Sequence, residues 1–161
     1  MLNGAAYEVT TLRRDVETDG RHAVVNWTHD WREDAARRDF TINAMSCDRD
    51  GHVHDYFNGR ADLCGGRVRF VGNAALRIAE DALRILRFFR FFGRYGRGAP
   101  DSDAVRAITA NAAVLRGQSV ERVRAVLRCH LARPRVAGVV RLMACAALLG
   151  HLPSAGVDRA R

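Results

Sequence analysis

The strongest alternation of apolar and polar residues lies in residues 80–96, EDALRILRFFRFFGRYG. Apolar residues recur at helical spacing along one side of this segment, and arginines recur every three or four residues along the opposite side. The apolar side comprises Ile85, Leu86, Phe88, Phe89 and Phe92, and the arginines are Arg84, Arg87, Arg90 and Arg94. The pattern predicts one helix, which Gly93 and Gly96 end. Leu83 and Phe91 lie outside the apolar side, so we expect the helix to pack on more than one face.

Weaker patterns on either side of this segment predict strands before it and helices after it. The predicted strands are residues 7–12, 23–27 and 68–71, with a polar loop at 13–22. A short helix is expected at 30–38, with Asp30 as its cap. Later helices are predicted at 101–115, 119–132 and 135–150, and the last is apolar almost all round, which is typical of a buried helix. These elements predict an α+β fold.

Composition narrows the class of protein without deciding its function. The chain has 161 residues, 48% of them hydrophobic, which suits one domain or one and a half. Its net charge is +8, and all 26 basic side chains are arginine. Arginine suits phosphate contacts and base stacking, but a GC-rich genome also enriches it, and the charge alone does not separate these causes.

The chain shows no sign of export or of a membrane segment. It has neither a secretory signal nor a run approaching about 20 apolar residues. The four cysteines are widely spaced and form no CxxC pair, so we expect reduced thiols in a cytoplasmic protein. His52 and His54 share a face near Asp55, but no further ligand has a suitable spacing, so no metal site is predicted there.

Asp81 and Arg84 are three residues apart, which places their side chains side by side on a helix. A carboxylate only accepts hydrogen bonds, and a guanidinium only donates them. The pairing edges of cytosine and adenine offer an amino donor beside a ring-nitrogen acceptor, whereas guanine and uracil offer the reverse order. A fixed Asp–Arg pair could therefore accept C or A and repel G and U. The pair alone is weak evidence, because EDxxR occurs by chance on many helices.

The segment RRD at residues 37–39 combines two guanidiniums with a carboxylate. The guanidiniums of Arg37 and Arg38 could face a triphosphate, and the carboxylate of Asp39 could accept a hydrogen bond from a ribose 2′-hydroxyl. A local salt-bridge cluster at a helix end would have the same composition.

Four segments in a fixed order carry a family resemblance. They are RRDFTINAM at 37–45, DYFNGRADL at 55–63, EDALRILR at 80–87 and SVERV at 119–123. Together they closely resemble the class II bacterial tRNA nucleotidyltransferase (CCA-adding enzyme) and poly(A) polymerase family, from about residue 7 to about residue 153. The resemblance implies a partial nucleotidyltransferase head domain at 1–72, with a small β-sheet and helices. It also implies an all-helical, nucleotide-selecting neck at 73–153 and a frayed tail at 154–161.

The resemblance also implies roles for individual side chains. It assigns base selection to Asp81 and Arg84, ribose contact to Asp39, and phosphate or ribose support to Arg37 and Arg38. Further nucleotide-binding candidates are Asn43, which would position Asp39, and Arg87. Arg90 and Arg94 are candidate RNA-binding residues. Glu8 matches the place of a third carboxylate beside the metal site, although an ordinary solvent-facing glutamate is an equal alternative. In the SxER sequence at 119–122, Glu121 and Arg122 are expected to brace the selecting helix.

The activity that the resemblance implies is template-independent addition of C and A to the 3′ end of tRNA, from CTP and ATP, with Mg²⁺. Family members hold the metal with two aspartates, separated by one residue, after a Gly-rich stretch. The six residues before Tyr7, MLNGAA, include no acidic residue. We therefore expect the isolated chain to be inactive and to need a separate chain that supplies the rest of the head. The alternative is a non-catalytic RNA- or nucleotide-binding remnant. The motifs do not separate CCA-adding, A-adding and poly(A)-adding members.

Overall fold

The computed structural model describes residues 9–18, 23–131 and 136–152, and within these ranges the chain forms four short strands and seven α-helices. The strands are β1 (Arg13–Thr18), β2 (Ala23–Trp27), β3 (Ser46–Cys47) and β4 (Val53–His54). The helices are α1 (Trp31–Ala36), α2 (Gly59–Gly65), α3 (Ala74–Glu80), α4 (Leu83–Tyr95), α5 (Ser102–Ala110), α6 (Val120–Leu131) and α7 (Val136–Cys145). Short 3₁₀ turns occupy Thr41–Asn43, Ala112–Gly117 and Leu149–His151. This mixture of small sheets followed by helices confirms the predicted α+β class.

Both sheets are antiparallel hairpins. β1 pairs with β2, with Arg13 opposite Trp27 and Thr18 opposite Ala23, and β3 pairs with β4. The prediction of a strand at 7–12 and a loop at 13–22 was wrong over the described residues: positions 9–12 are irregular, and the strand begins at Arg13. The polar residues of β1 gave a loop signal, but β2 pairs with the backbone of this segment and holds it as a strand.

The predicted helix at 80–96 begins later, as α4 at Leu83, and Glu80 ends a separate helix, α3, that the sequence analysis did not predict. Asp81 has extended backbone, with φ −151° and ψ 108°. Its Oδ1 atom accepts a hydrogen bond of 3.1 Å from the Leu83 N–H, so it caps one of the unpaired donors at the start of α4. Glu80 therefore lies at the end of α3, where the helix dipole disfavours negative charge, and Asp81 lies just before the first turn of α4 rather than in it.

The end of α4 also differs from the prediction. Gly93 lies inside the helix, which ends at Tyr95, and Gly96 alone follows the last turn. A Cβ atom at Gly93 would lie 2.9 Å from Val139 Cγ2, so Gly93 permits close approach of α7 rather than ending α4.

α4 lies at the centre of the hydrophobic core. Ile85, Leu86, Phe88 and Phe89 are fully buried. Leu83 is also buried, and the ring of Phe91 lies 4.8 Å from that of Phe40, so the prediction that α4 packs on more than one face is confirmed.

Phe40 joins the segments before and after the predicted domain boundary at residue 72. Its ring lies 4.9 Å from Phe70 and 6.2 Å from Phe88, measured between centroids. Backbone bonds from Thr41 N–H to the Arg69 carbonyl and from Val71 N–H to the Asp39 carbonyl, each 3.0 Å, flank this contact. The predicted strand at 68–71 is therefore a single bridge, Phe40–Phe70, inside a core that both segments share. The boundary itself stays a prediction.

Helices α5 and α7 are shorter or less buried than predicted. The expected helix at 101–115 ends at Ala110 and continues as a 3₁₀ turn. α7 is not buried all round: Val139 and Met143 face the core, whereas Val140 is exposed. None of the helices in the described ranges is long and apolar enough to cross a membrane.

Gly59 begins α2 where its backbone touches the turn that follows Phe40. An added Cβ would lie 2.2 Å from the Thr41 carbonyl oxygen and 2.9 Å from Met45 Cγ. We expect Gly59→Ala to lower the free energy of unfolding by about 1–3 kcal/mol, because backbone must move to admit the methyl group. Urea denaturation followed by circular dichroism measures this change.

Gly117 provides the matched control for this substitution. A Cβ at Gly117 meets no atom within 4 Å, so Gly117→Ala should leave stability nearly unchanged. Equal stability of the two variants would show that the approach of Gly59 to Thr41 is not a constraint.

Candidate nucleotide-selecting site

Asp39 is a buried carboxylate held between two arginines of α4. Its side chain is 6% exposed; Oδ1 accepts a 2.9 Å hydrogen bond from Arg84 Nε, and Oδ2 lies 2.5 Å from Arg87 Nη2. A buried charge is tolerated only where opposite charge and hydrogen bonds compensate for lost water. Three of the predicted nucleotide-binding residues, Asp39, Arg84 and Arg87, therefore meet in one cluster.

Arg84 is almost enclosed, with 9% of its side chain exposed. Besides Asp39, its Nη1 atom donates to the Arg77 carbonyl at 2.9 Å and to Glu80 Oε2, and its Nη2 atom lies 3.5 Å from the Arg37 carbonyl. Burial lowers the pKa of this guanidinium, but Glu80 and Asp39 outweigh burial and raise the pKa above its ordinary value. Arg84 is thus a charged group whose plane is fixed by four acceptors.

Glu80 forms the outer side of the same cluster. Its Oε2 atom accepts from both Arg84 Nη1 and Arg77 Nη1, the latter at 2.8 Å. Burial raises the pKa of this carboxyl, but the hydrogen bonds from Arg84 and Arg77 outweigh burial and bring the pKa below its usual range. Glu80 is therefore an ionised link between two arginines, at a helix C-terminus where the helix dipole alone would disfavour negative charge.

Asp81 lies beside this cluster but outside it. Its carboxylate caps Leu83, and its Oδ1 atom is 3.8 Å from Arg122 Nη2. The predicted bracing by the SxER sequence thus has a geometric counterpart, since Arg122 belongs to that sequence. The backbone N–H of Arg84 donates to the backbone carbonyl of Asp81 at 3.0 Å. The two residues of the predicted selecting pair are therefore adjacent on a turn rather than on one helix face.

Arg37 and Arg38 both point to Asp34, one helical turn earlier. Arg37 Nε and Nη2 donate to Asp34 Oδ1 at 2.9 and 2.7 Å, and Arg38 Nη2 donates to Oδ2 at 2.9 Å. Burial raises the pKa of Asp34, but the bonds from Arg38, Arg37 and the Arg13 backbone outweigh it and lower the pKa. The observed contacts are therefore those of a local salt-bridge cluster at a helix end, the alternative stated for this segment. The phosphate role of these arginines stays a prediction.

Among the other predicted site residues, Asn43, Arg90 and Arg94 each contact a neighbour in their own segment. Asn43 Oδ1 accepts from the Phe40 N–H at 2.9 Å, which fixes the backbone next to Asp39 rather than the Asp39 side chain. The guanidinium carbons of Arg90 and Arg94 lie 5.3 and 5.1 Å from the ring centroids of Phe91 and Tyr95. Glu8 lies outside the described residues.

Comparison with known proteins identifies the family of this chain. A family model described as the poly A polymerase head domain matches residues 1–69. The CCA tRNA nucleotidyltransferase 1, mitochondrial, of Danio rerio is 54% identical over 124 residues, which are 76% of this chain and 29% of that protein. The crystal structure of Bacillus stearothermophilus CCA-adding enzyme in complex with CTP matches with a TM-score of 0.85 and 38% identity, and it covers 96% of this chain and 37% of that one. The chain belongs to the class II tRNA nucleotidyltransferase and poly(A) polymerase family.

The family comparison also gives the extent of the match. Thermotoga maritima CCA-adding enzyme complexed with tRNA matches with a TM-score of 0.67 and 29% identity, covering 75% of this chain and 30% of that one. The predicted head-and-neck fold of the family is confirmed over the described residues. This chain spans about a third of the length of the relatives that it matches.

The Mg²⁺ that the family resemblance implies does not fit the carboxylates in and around this site. Asp34, Asp39, Asp62 and Glu80 are each already paired with arginine. Within the described ranges, one group of potential ligands, Asp48, Asp50 and His52, clusters on the exposed β3–β4 turn. There Asp48 Oδ1 accepts from the backbone N–H groups of Asp50 and His52, at 3.0 and 2.8 Å, which is ordinary turn geometry. The proposed function therefore includes no step that depends on a metal held by these residues.

Three contributors to the site were missed by the sequence analysis, namely Arg77, Glu80 and Asp62. The Arg77 side chain bonds to Glu80, and the Arg77 carbonyl accepts from Arg84. Glu80 and Arg84 follow Arg77 by three and seven residues, a helical spacing from which Arg77 could have been predicted. Asp62 is fully buried and accepts from Thr41 Oγ1 at 2.7 Å and from Arg69 Nε at 2.8 Å, so it supports the turn that follows Asp39.

Proposed function

We propose that this chain carries the nucleotide-selecting part of an enzyme that adds C and A to the 3′ end of tRNA from CTP and ATP. The observation that carries the proposal is the fixed guanidinium of Arg84, held by Asp39 and Glu80, on a turn in which the Arg84 backbone N–H bonds to the Asp81 carbonyl. The acidic and basic partners come from RRDFTINAM and EDALRILR, the two segments most typical of the family.

The hydrogen-bonding capacity left at these side chains supports base selection. Arg84 Nη2 makes the longest contact of the guanidinium, 3.5 Å, and a bond of that length is weak. The Asp81 side chain is partly exposed, at 23%. A donor from Arg84 and an acceptor from Asp81 complement the edge that cytosine and adenine share, whereas guanine and uracil would set donor against donor.

The substrates and the location follow from the relatives and stay proposals for this chain. One matched structure contains CTP and another contains tRNA. We assign Arg37 and Arg38 to phosphate, Asp39 to ribose, and Arg90 and Arg94 to RNA. Mg²⁺, a separate chain bearing the rest of the head, and a cytoplasmic location are part of the same proposal, although the Danio rerio relative is named as mitochondrial.

Equilibrium titration of the chain with each ribonucleoside triphosphate tests base selection. We expect CTP and ATP to bind at least about 10-fold more tightly than UTP and GTP, because one well-placed donor–acceptor pair discriminates by about 1–3 kcal/mol. Equal affinity for all four nucleotides would contradict the proposal.

The pairing of Asp34, Asp39, Asp62 and Glu80 with arginine favours a second function, a non-catalytic nucleotide- or RNA-binding chain. Incorporation of labelled CTP into tRNA that lacks its 3′ CCA decides between the two. Incorporation by the chain alone supports the enzymatic function. Selective binding of CTP and ATP without incorporation, restored by a chain bearing the rest of the head, supports one half of a split enzyme. Selective binding that no such chain converts to incorporation supports the binding function.

A further inference from the structure

Arg77 connects three separate parts of the chain through one guanidinium. Its Nη2 atom donates to the carbonyl of Ala36, the last residue of α1. Its Nε atom donates to the Val71 carbonyl at 3.1 Å, and its Nη1 atom to Glu80 Oε2 at 2.8 Å. The side chain is 16% exposed, so these acceptors take the place of water around most of it.

Three of the groups that orient Arg84 involve Arg77. Glu80 Oε2 accepts from both arginines, and the Arg77 carbonyl accepts from Arg84 Nη1. The residue after Ala36 is Arg37, whose carbonyl faces Arg84 Nη2. Arg77 thus fixes acceptors on both terminal nitrogens of the Arg84 guanidinium without touching that guanidinium with its own side chain.

We propose that Arg77 is a positioning residue for base selection, acting through Glu80 and the end of α1 on Arg84; this role rests on the function proposed above. A guanidinium discriminates between bases only if its plane and its free N–H direction are fixed. Without the Arg77 side chain, Glu80 keeps only the hydrogen bond from Arg84, and the end of α1 loses its hydrogen bond to α3. Arg84 then gains orientations that present a donor equally well to the carbonyl of a wrong base.

The Arg77→Lys variant tests this role. Lysine keeps the positive charge, but a single ammonium on a flexible stem does not reproduce the three directed bonds. We expect the ratio of CTP to UTP affinity, and that of ATP to GTP affinity, to fall by about 10-fold, which corresponds to about 1.4 kcal/mol. Titrations are made at a temperature at which circular dichroism shows the variant folded.

Two further variants separate positioning from stability. Arg106→Ala removes another i, i+3 arginine–carboxylate pair, with Asp103 on the exposed side of α5, and should leave both ratios unchanged. The double variant Arg77→Lys/Glu80→Ala should lose less discrimination than the two single variants added together, because Glu80 is one of the two connections through which Arg77 acts.

The possible results are distinguishable. If the parent chain does not prefer CTP and ATP, the proposed function and the role of Arg77 both fall. If the parent discriminates and Arg77→Lys keeps both ratios while losing only stability, Arg77 is a structural tie alone and the positioning role is overturned. If the parent discriminates and the ratios collapse in Arg77→Lys but not in Arg106→Ala, the positioning role stands.

Discussion

Arg84→Ala should lower the free energy of unfolding by about 3–5 kcal/mol and weaken CTP and ATP binding together. Most of the stability loss comes from Asp39, whose nearly buried carboxylate would lose the Nε donor and keep Arg87 as its described partner. Removing one member of a buried charge pair costs more than the pair contributes, because the remaining charge is left without water. Urea denaturation measures the first effect, and nucleotide titration of the folded variant measures the second.

Arg84→Lys separates the two effects of the alanine substitution. Lysine leaves a cation near Asp39, so we expect a smaller loss of stability. It lacks the directed second nitrogen, so discrimination between CTP and UTP should still fall. Arg106→Ala, which removes an exposed arginine, should change neither property. Unchanged affinity of Arg84→Ala for both CTP and ATP would remove Asp81 and Arg84 from base selection.

The local parts of the fold were accessible from sequence because their signals are local. Helical spacing predicted α4, and the Asp30 side chain does accept from the Arg32 N–H at 2.7 Å, as a cap should. The break at Asp81 was missed because spacing alone does not show that a carboxylate will bond to the backbone two residues later. β1 was missed for a related reason: a polar segment becomes a strand only when a partner strand is present.

The candidate site shows the same division between near and distant contacts. The pairing of Asp34 with Arg37 and Arg38 could have been read from helical spacing, since the residues lie three and four apart. The pairing of Asp39 with Arg84 could not, because 45 residues separate them and no periodicity connects the segments. Family resemblance named both residues, but it did not indicate that they bond to each other. Because Arg84 already bonds to Asp39 Oδ1, a ribose hydroxyl would compete with Arg84 for the Asp39 carboxylate.

Phe40→Ala should also lower the free energy of unfolding by about 3–5 kcal/mol, the usual cost of deleting a fully buried phenylalanine. The ring is completely enclosed and packs on Phe70, Phe88 and Phe91. The cavity would open between the segment that carries Asp39 and the helix that carries Arg84. Urea denaturation at constant pH measures the loss, and a nucleotide titration shows whether it reaches the site.

Trp27→Ala is the matched control, because Trp27 is a large aromatic residue with 70% of its surface exposed. Its removal should change stability by no more than about 0.5 kcal/mol, as is usual for surface positions. Phe40→Leu should lie between the two, since leucine fills part of the space without the ring contacts. A loss in Phe40→Ala as small as that in Trp27→Ala would mean that the core does not join the two segments. The orientation of Arg84 would then rest on its polar contacts with Asp39 and Glu80 alone.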